Sequence, residues 1–525
     1  MFLAMSGASP SDIQSLLKRM KRLEEELART KAELARKNGI IEALQKRIFG
    51  SSSERLDPNQ LQLLFDEVVL GKPAAPPEDD GPSAPGEQKE KAATSRRKKA
   101  DLYPENLKVV IDEVIIPEEV AANPGDYVEI GEENHDELDV VRAALFWRRK
   151  VRKKFVRRDD RELPPVIAPA PESSLPGTLC APGLAAQIIV DKYCDHLPHY
   201  RQSQRMLRRH MAHIARQTLG KWTHAAAAHL TPVADAIKGE LFAAEALQVD
   251  ETPIEYLCPG HGRTRQGYLW VYLDTMARTV YYDWRTSRAH DCLLEIIGLD
   301  EETSTTLFEG IIQCDGYSAY PALVARYGGI RLAGCLAHIR RKFIEARGQA
   351  PEVVLPILLA IQKLYRIEQW LRRTKAPPDC RKLVRLARSR PIVDELHQTI
   401  LGQRSAHLPQ SKLGEALNYA LGQWEKFRVF LESGEVEIDN NLVENAIRPT
   451  KLGAKNYLFF GSAEAGKHNA VLYTLIENCK AQDLDPEVYL AEVIKRLPTD
   501  PTPEQAAALT PRRFAEELRQ ARSAA

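Results

Sequence analysis

One stretch of this chain is written in a different period from its surroundings. From Ala246 the apolar residues take up strand alternation, first in Ala-Leu-Gln-Val-Asp-Glu-Thr-Pro253, then in Tyr268–Leu273 and Thr279–Tyr282, the last two joined through a turn at Asp274–Arg278. Three strands in succession predict a meander that begins a mixed sheet. A fourth strand begins at Gly310 and reads Gly-Ile-Ile-Gln-Cys-Asp315 before turn chemistry takes over. The sequence on both sides has helical spacing, so the expected class is multidomain α+β.

Two of these strands carry the first candidate chemistry. Asp250 and Asp315 each stand where a hydrophobic strand is expected to run out. If the strands are neighbours, the carboxylates lie side by side, and their repulsion makes the doubly ionised state costly without a cation. Mg²⁺ (or Mn²⁺) is the simplest remedy, being a hard ion that takes oxygen ligands. A third carboxylate, Glu444, lies in Ile438–Pro449, which reads as a short helix capped by Asp439 or Asn440 and stopped by Pro449. At about 100° per residue, Leu442, Val443, Ala446 and Ile447 share one arc, and Glu444, Asn445 and Arg448 the other. An exposed Glu is an ordinary surface residue when taken alone. With two aspartates to meet, Glu444 would complete a site for two ions about 3.5–4 Å apart. Asp on a strand, Asp on a strand and Glu on a helix is the order expected of an RNase H-like nucleotidyl-transfer core.

The remaining organisation follows from composition and period. Residues 1–70 hold a heptad pattern with Ile13, Met20, Leu27, Leu34, Ile41 and Ile48 at a, which predicts a coiled coil and a homodimer or higher oligomer; a lone amphipathic helix is the competing reading, because Thr30 and Lys37 spoil d. Residues 71–100 are a Pro-, Gly- and charge-rich disordered linker. Residues 101–165 alternate like strands and contain Phe146–Arg158, where Arg148, Arg149, Lys150, Arg152 and Lys153 interleave with aromatics. That suits contact with phosphates, and equally suits a solvated edge hairpin. Residues 166–240 are helical after a proline-rich hinge. A helix-turn-helix with Arg216, Gln217 and Lys221 outward, or a plain helical hairpin, fits His199–Trp222. The core is expected in two parts, 241–343 and 436–497, separated by a helical insertion at 344–435 whose Lys363, Arg366, Arg372 and Arg373 face either DNA or solvent. Residues 498–525 form an uninformative tail.

Charge and cysteine usage bound the function. Charged residues make up 28% of the chain while the net charge is +1, so any nucleic-acid binding must come from local patches. Eight cysteines without CxxC pairing favour a reducing cytoplasm over a disulfide framework, and no apolar run is long enough to suggest a membrane segment.

Four blocks resemble the DDE transposases of the IS66 family: Val249–Pro253, Cys314–Tyr320, Gly334–Phe343 and Ile438–Pro449. Tyr457–Ser462, Asp195–Gln202 and Ile48–Asp57 add to the likeness, which runs in order from about residue 13 to 490. The resemblance implies that Asp250, Asp315 and Glu444 are catalytic and hold two Mg²⁺ ions. It implies cleavage at the terminal inverted repeats of an insertion sequence, strand transfer into target DNA, accessory insertion-sequence proteins as partners, and a nucleoid-associated, non-membrane location. Arg448, Lys451 and Lys455 are then candidates to hold phosphate. Two departures matter. The family generally carries a zinc-binding domain with CxxC pairs after the linker, yet residues 105–160 have no cysteine, so no zinc is expected. Asn445 stands where the family usually places Arg. Cys335 and His338 form a CxxH pair that the family shares; two ligands close no structural zinc site, so a buried thiol beside a hydrogen-bonded His, or a supporting contact near the metal or DNA end, is expected. A structure-specific nuclease of the same fold and a domesticated, non-catalytic DNA-binding regulator remain the alternatives.

Overall fold

The computed structural model describes residues 144–525, apart from 156–165, 168, 170–171, 289–298, 301–304, 307, 317–319, 322–328 and 525. The expected coiled coil, the linker and residues 101–143 of the basic segment lie outside the described residues.

Three helices open this part of the chain: α1 (Pro182–Tyr193), α2 (His199–His210) and α3 (Arg216–Leu241). The sheet strands follow as β1 (Ala246–Leu257), β2 (Thr264–Asp274), β3 (Val280–Arg285), β4 (Gly310–Gln313) and β5 (Ile330–Ala333). Next come α4 (Leu336–Ala346), α5 (Pro351–Arg373), α6 (Pro378–Val384), α7 (Arg390–Arg404) and α8 (Lys412–Arg428). The chain closes with α9 (Asn441–Tyr457), α10 (Ala463–Ala481), α11 (Pro486–Arg496), α12 (Pro503–Ala507) and α13 (Pro511–Ala524).

The sheet order is β3-β2-β1-β4-β5. β1, β2 and β3 form the expected antiparallel meander, while β4 runs parallel to β1 and β5 parallel to β4. Both faces are covered, as the parallel part requires. One face buries Ile254, Tyr256, Leu269, Val271 and Tyr282 with residues of α1, α3, α10 and α11; the other buries Leu247, Val249, Trp270, Tyr272 and Ile312 with Phe308 and Tyr320. α3 therefore shares a core with the sheet: Ala226, Leu230, Val233 and Ile237 are fully buried in it.

Three local expectations need correction, and the tail gains a structure. Phe146–Lys153 forms no strand; among the described residues of this segment only Lys154–Phe155 pairs, with Val166–Ile167, and Phe146 and Trp147 stand in solvent, as do the basic side chains that follow them. An edge with this much positive charge and no apolar face to bury gains little from a ladder. β1 does not end at Thr252-Pro253 but continues to Leu257. Leu257 N–H donates to Phe460 O and Glu255 O accepts from Phe460 N–H, so odd-numbered backbone groups here face away from β2. The N–H that Pro253 lacks lies on that same side, and β4 has already ended at Gln313. Pro449 likewise stops nothing: α9 runs on for two turns because Ile447, Thr450 and Gly453 are buried, and Thr450 Oγ1 donates to Ile447 O at 2.7 Å. Finally, the tail is ordered into helices, with a Thr502–Gln505 capping box and Phe514 edge-on to Tyr489.

Candidate active site

The site is built on a repeated Gln-x-Asp. Gln248 on β1 and Gln313 on β4 are opposite one another in parallel register, and each is followed two residues later by an aspartate, Asp250 within β1 and Asp315 just past the end of β4. Both glutamines are buried and joined, Gln248 Nε2 donating to Gln313 Oε1 at 2.8 Å. This register brings Asp315 within electrostatic reach of Asp250. Asp250 is not at the end of its strand as expected; it stands mid-strand, opposite Val271, where its parallel neighbour has run out.

The same glutamines locate Glu444. Gln248 Nε2 donates to Asp439 O at 2.7 Å, its Oε1 accepts the Val443 N–H at 3.1 Å, and Gln313 Nε2 donates to Glu437 O at 2.7 Å. The first turn of α9 is therefore docked onto the glutamine pair, one residue before Glu444. The packing arc follows the helical wheel: Val443 and Ile447 are buried, while Asn445 and Arg448 are exposed. Asp439 accepts the Asn441 N–H at 3.2 Å and so serves the helix start; the Asn440 side chain makes no capping bond.

Electrostatics mark this neighbourhood. Burial pushes the Asp250 carboxyl up to about 7, with Glu251, Asp315 and Glu444 adding negative charge around it, against the Glu251 N–H that donates to Asp250 Oδ1 at 2.9 Å. His338 is held below its usual value by burial, although Glu444 and Asp315 pull it upward. Cys335 is buried and raised to about 12, and its Sγ accepts the Asn440 N–H at 3.5 Å. Cys335, at the start of α4, thereby ties that helix to the approach to α9. His338 Nδ1 is buried without a hydrogen-bond partner, unlike the hydrogen-bonded His expected from sequence. The donor set of Asp250, Asp315 and Glu444 is all oxygen, which suits a hard divalent cation. Among the described residues, no three His, Cys, Asp or Glu side chains are drawn together closely enough to hold an ion as they stand.

Residues 177–468 match the family model described as "Transposase IS66 family", which spans over half the chain. The chain belongs to the IS66 transposase family. Residues 474–511 match the IS66 C-terminal element, and 38–111 match "Transposase C of IS166 homeodomain". Two relatives from Sinorhizobium fredii (strain NBRC 101917 / NGR234) are similar over most of both chains. The uncharacterized protein y4qI is 34% identical across 90% of this chain and 89% of its own, and the uncharacterized protein y4jD is 32% identical across 86% and 89%.

Membership in the IS66 family makes this a transposase-type protein acting on DNA, so the position of its basic residues matters. Arg448, Lys451 and Lys455 lie on the exposed stripe of α9 that Glu444 begins, and Lys451 Nζ also donates to Pro253 O at 3.1 Å. Arg216 and Lys221 are exposed at the start of α3, and Arg148, Arg149, Lys150, Arg152 and Lys153 lie in the exposed segment before the short ladder. Arg372 is engaged elsewhere, donating to Glu437 at 2.7 and 3.1 Å. No helix among the described residues is long and apolar enough to cross a membrane.

Sequence reasoning missed Gln248, Gln313 and Glu251. Glu251 points to the opposite face, where its buried carboxylate pairs with Arg288 and accepts from Tyr320 Oη at 3.4 Å. The glutamines had a readable signal, the doubled Gln-x-Asp, because parallel neighbours that need a matched cross-strand pair carry it at matched positions.

Proposed function

We propose that this chain is a DDE transposase that cuts DNA at the ends of an insertion sequence and joins the freed 3′ end to target DNA. Asp250, Asp315 and Glu444 are its catalytic carboxylates. The observation that carries the reading is the Gln248–Gln313 pair, which gathers two strand aspartates and the first turn of α9 into one like-charged neighbourhood. The sheet order β3-β2-β1-β4-β5, with β1 and β4 parallel, supports an RNase H-like core.

Asp250, Asp315 and Glu444 would hold two Mg²⁺ (or Mn²⁺) ions, which when bound polarise the phosphodiester and lower the pKa of the attacking water. The protein's own work is positioning and charge. Asp250 is held by the pairing of β1 with β2, Asp315 follows the end of β4 by two residues, and α9 brings Glu444 to them from a separately docked element. Arg448, Lys451 and Lys455 bind the backbone of the cleaved strand, and the basic segment at Arg148–Lys153 and the start of α3 at Arg216 and Lys221 bind DNA farther out. The N-terminal heptads pair two copies so that two ends are held together, accessory insertion-sequence proteins act with them, and the protein works in the cytoplasm at the nucleoid.

The test is Mg²⁺-dependent cleavage of a duplex carrying the terminal repeat that flanks the gene. Nicked and strand-transfer products support the reading. Specific end binding with neither product, in the presence of the neighbouring insertion-sequence proteins, replaces it with a DNA-binding regulator.

A further inference from the structure

Leu458, the residue after the last turn of α9, has φ 68° and ψ −53°. Phe459 N–H donates to Tyr457 O at 2.8 Å across it, which makes a γ-turn of the rare positive-φ kind at a branched apolar residue. The turn is clamped on both sides. Leu458 N–H donates to Ala454 O at 2.8 Å, and Phe460 is tied to β1 through Glu255 and Leu257. Phe460 is itself buried, with its ring centroid 5.6 Å from Tyr457 and 5.0 Å from Trp284. This rigid frame holds a strained residue whose side chain is 68% exposed, beside Phe459 at 37%. A leucine gains nothing for folding there: glycine takes positive φ without steric cost, and an exposed leucine buries little. Strain that the surroundings enforce at a solvent-facing side chain points to an external contact.

The chemistry around the turn identifies the partner. Arg448, Lys451 and Lys455 recur every three or four residues on the exposed stripe of α9 and lead from Glu444 to the turn. Arg201 is beside it, donating to Asn456 Oδ1 at 3.2 Å. A cationic track ending in an apolar tip matches a duplex, with phosphates along the track and a base step at its end. We infer that Leu458, backed by Phe459, is a wedge that enters and unstacks a base step of the bound DNA. The helix rises about 1.5 Å per residue, which puts Leu458 about 21 Å from Glu444. That is about six nucleotides from the cut, at about 3.4 Å per nucleotide. The inference rests on the DNA-cleaving reading and adds an element that reading does not require.

The full chain is titrated with a fully paired duplex, the same duplex carrying one mismatched step, and both again with a nick standing for the cut. A wedge spares unstacking energy at a mismatch, so wild type should bind the mismatched duplex about tenfold more tightly, most strongly with the mismatch about six nucleotides from the nick. Leu458→Gly should lose that preference and melt no lower than wild type, since glycine relieves the strain. Equal affinity of wild type for the two duplexes, or a preference that survives in Leu458→Gly, overturns the wedge and leaves the cleavage reading standing. A shift in oligomeric state in Leu458→Gly, read by light scattering with the mismatch preference retained, also overturns it, assigning the tip to a second copy. Failure of wild type to bind either duplex removes both readings.

Discussion

Gln248 Nε2 lies 2.8 Å from Gln313 Oε1, and through this one bond two parallel strands share a buried amide pair directly beneath the acidic site. Each amide has further partners. Gln248 holds Asp439 O and the Val443 N–H, and Gln313 holds Gly334 O at 3.0 Å and Glu437 O. The three catalytic candidates are thus set by a common support, although Glu444 arrives from a helix far along the chain. Such a network is worth most when every member is satisfied, and it is costly to break at any single point.

Replacing Gln248 or Gln313 by Leu strands several buried backbone groups. We expect each variant to lose about 2–4 kcal/mol in urea unfolding, from unsatisfied groups costing about 1–3 kcal/mol apiece. DNA cleavage should fall further than DNA binding, because the basic surfaces are untouched while Asp250, Asp315 and Glu444 lose their register. Equal loss of binding and cleavage would reduce the pair to a folding role.

Asp250 makes a prediction about pH. Its carboxyl ordinarily titrates at 3.8 and is pushed up to about 7 in the fold, by burial first and by Glu251, Asp315 and Glu444 after it. Between those values the folded protein keeps a proton that the unfolded chain has released. Metal-free stability should therefore fall as pH rises from about 4 to about 7, and remain low above that. Asp250→Asn should remove the fall, melting higher than wild type at pH 8 without metal. Added Mg²⁺ should raise the melting temperature of wild type at pH 8 and leave the Asn variant unmoved. Parallel melting curves against pH for the two proteins would contradict this assignment.

The helices between β5 and α9 are joined to the site by buried charge. Glu368 and Arg385 are both fully buried and paired at 2.7 Å, and Arg385 also donates to Phe430 O, Ser433 O and Val436 O. Glu437, whose backbone carbonyl Gln313 holds, receives Arg372 and Arg381 on its carboxylate. Glu368→Gln should cost about 3–5 kcal/mol in chemical denaturation, because it leaves the Arg385 charge buried and without its counterion. At Glu437, burial works against ionisation, but the two guanidiniums hold the carboxyl below 4.5. Its contribution is fully present above that value and is lost as pH falls through the lower, folded one. Acid unfolding of Glu437→Gln should accordingly be shallower than that of wild type.

Much of the sheet was legible because its signal is local. Alternation at Tyr268–Leu273 and Thr279–Tyr282 gives the meander directly, and the helical wheel of α9 correctly separates Val443 and Ile447 from Arg448. What failed depends on partners distant in sequence. Thr252-Pro253 reads as a strand end until Phe460 supplies the other side of β1. Pro449 reads as a helix stop until the burial of Thr450 and Gly453 beside it carries the helix through. Gln248 and Gln313 look like ordinary polar residues until a parallel pairing places them face to face. Arg372 reads as surface charge until Glu437 arrives from the far side of the helical region.

The central claim is that Asp250, Asp315 and Glu444 together perform phosphodiester cleavage. Its most direct measurement is single-turnover nicking, with Mg²⁺, of a duplex bearing the element's own terminal repeat, by wild type and by Asp250→Asn, Asp315→Asn and Glu444→Gln. We predict cleavage by wild type, none detectable by any of the three variants, and end binding by each within about threefold of wild type, as expected when charge is removed from the reacting centre alone. Near-normal cleavage by any one of them would contradict the assignment of that residue.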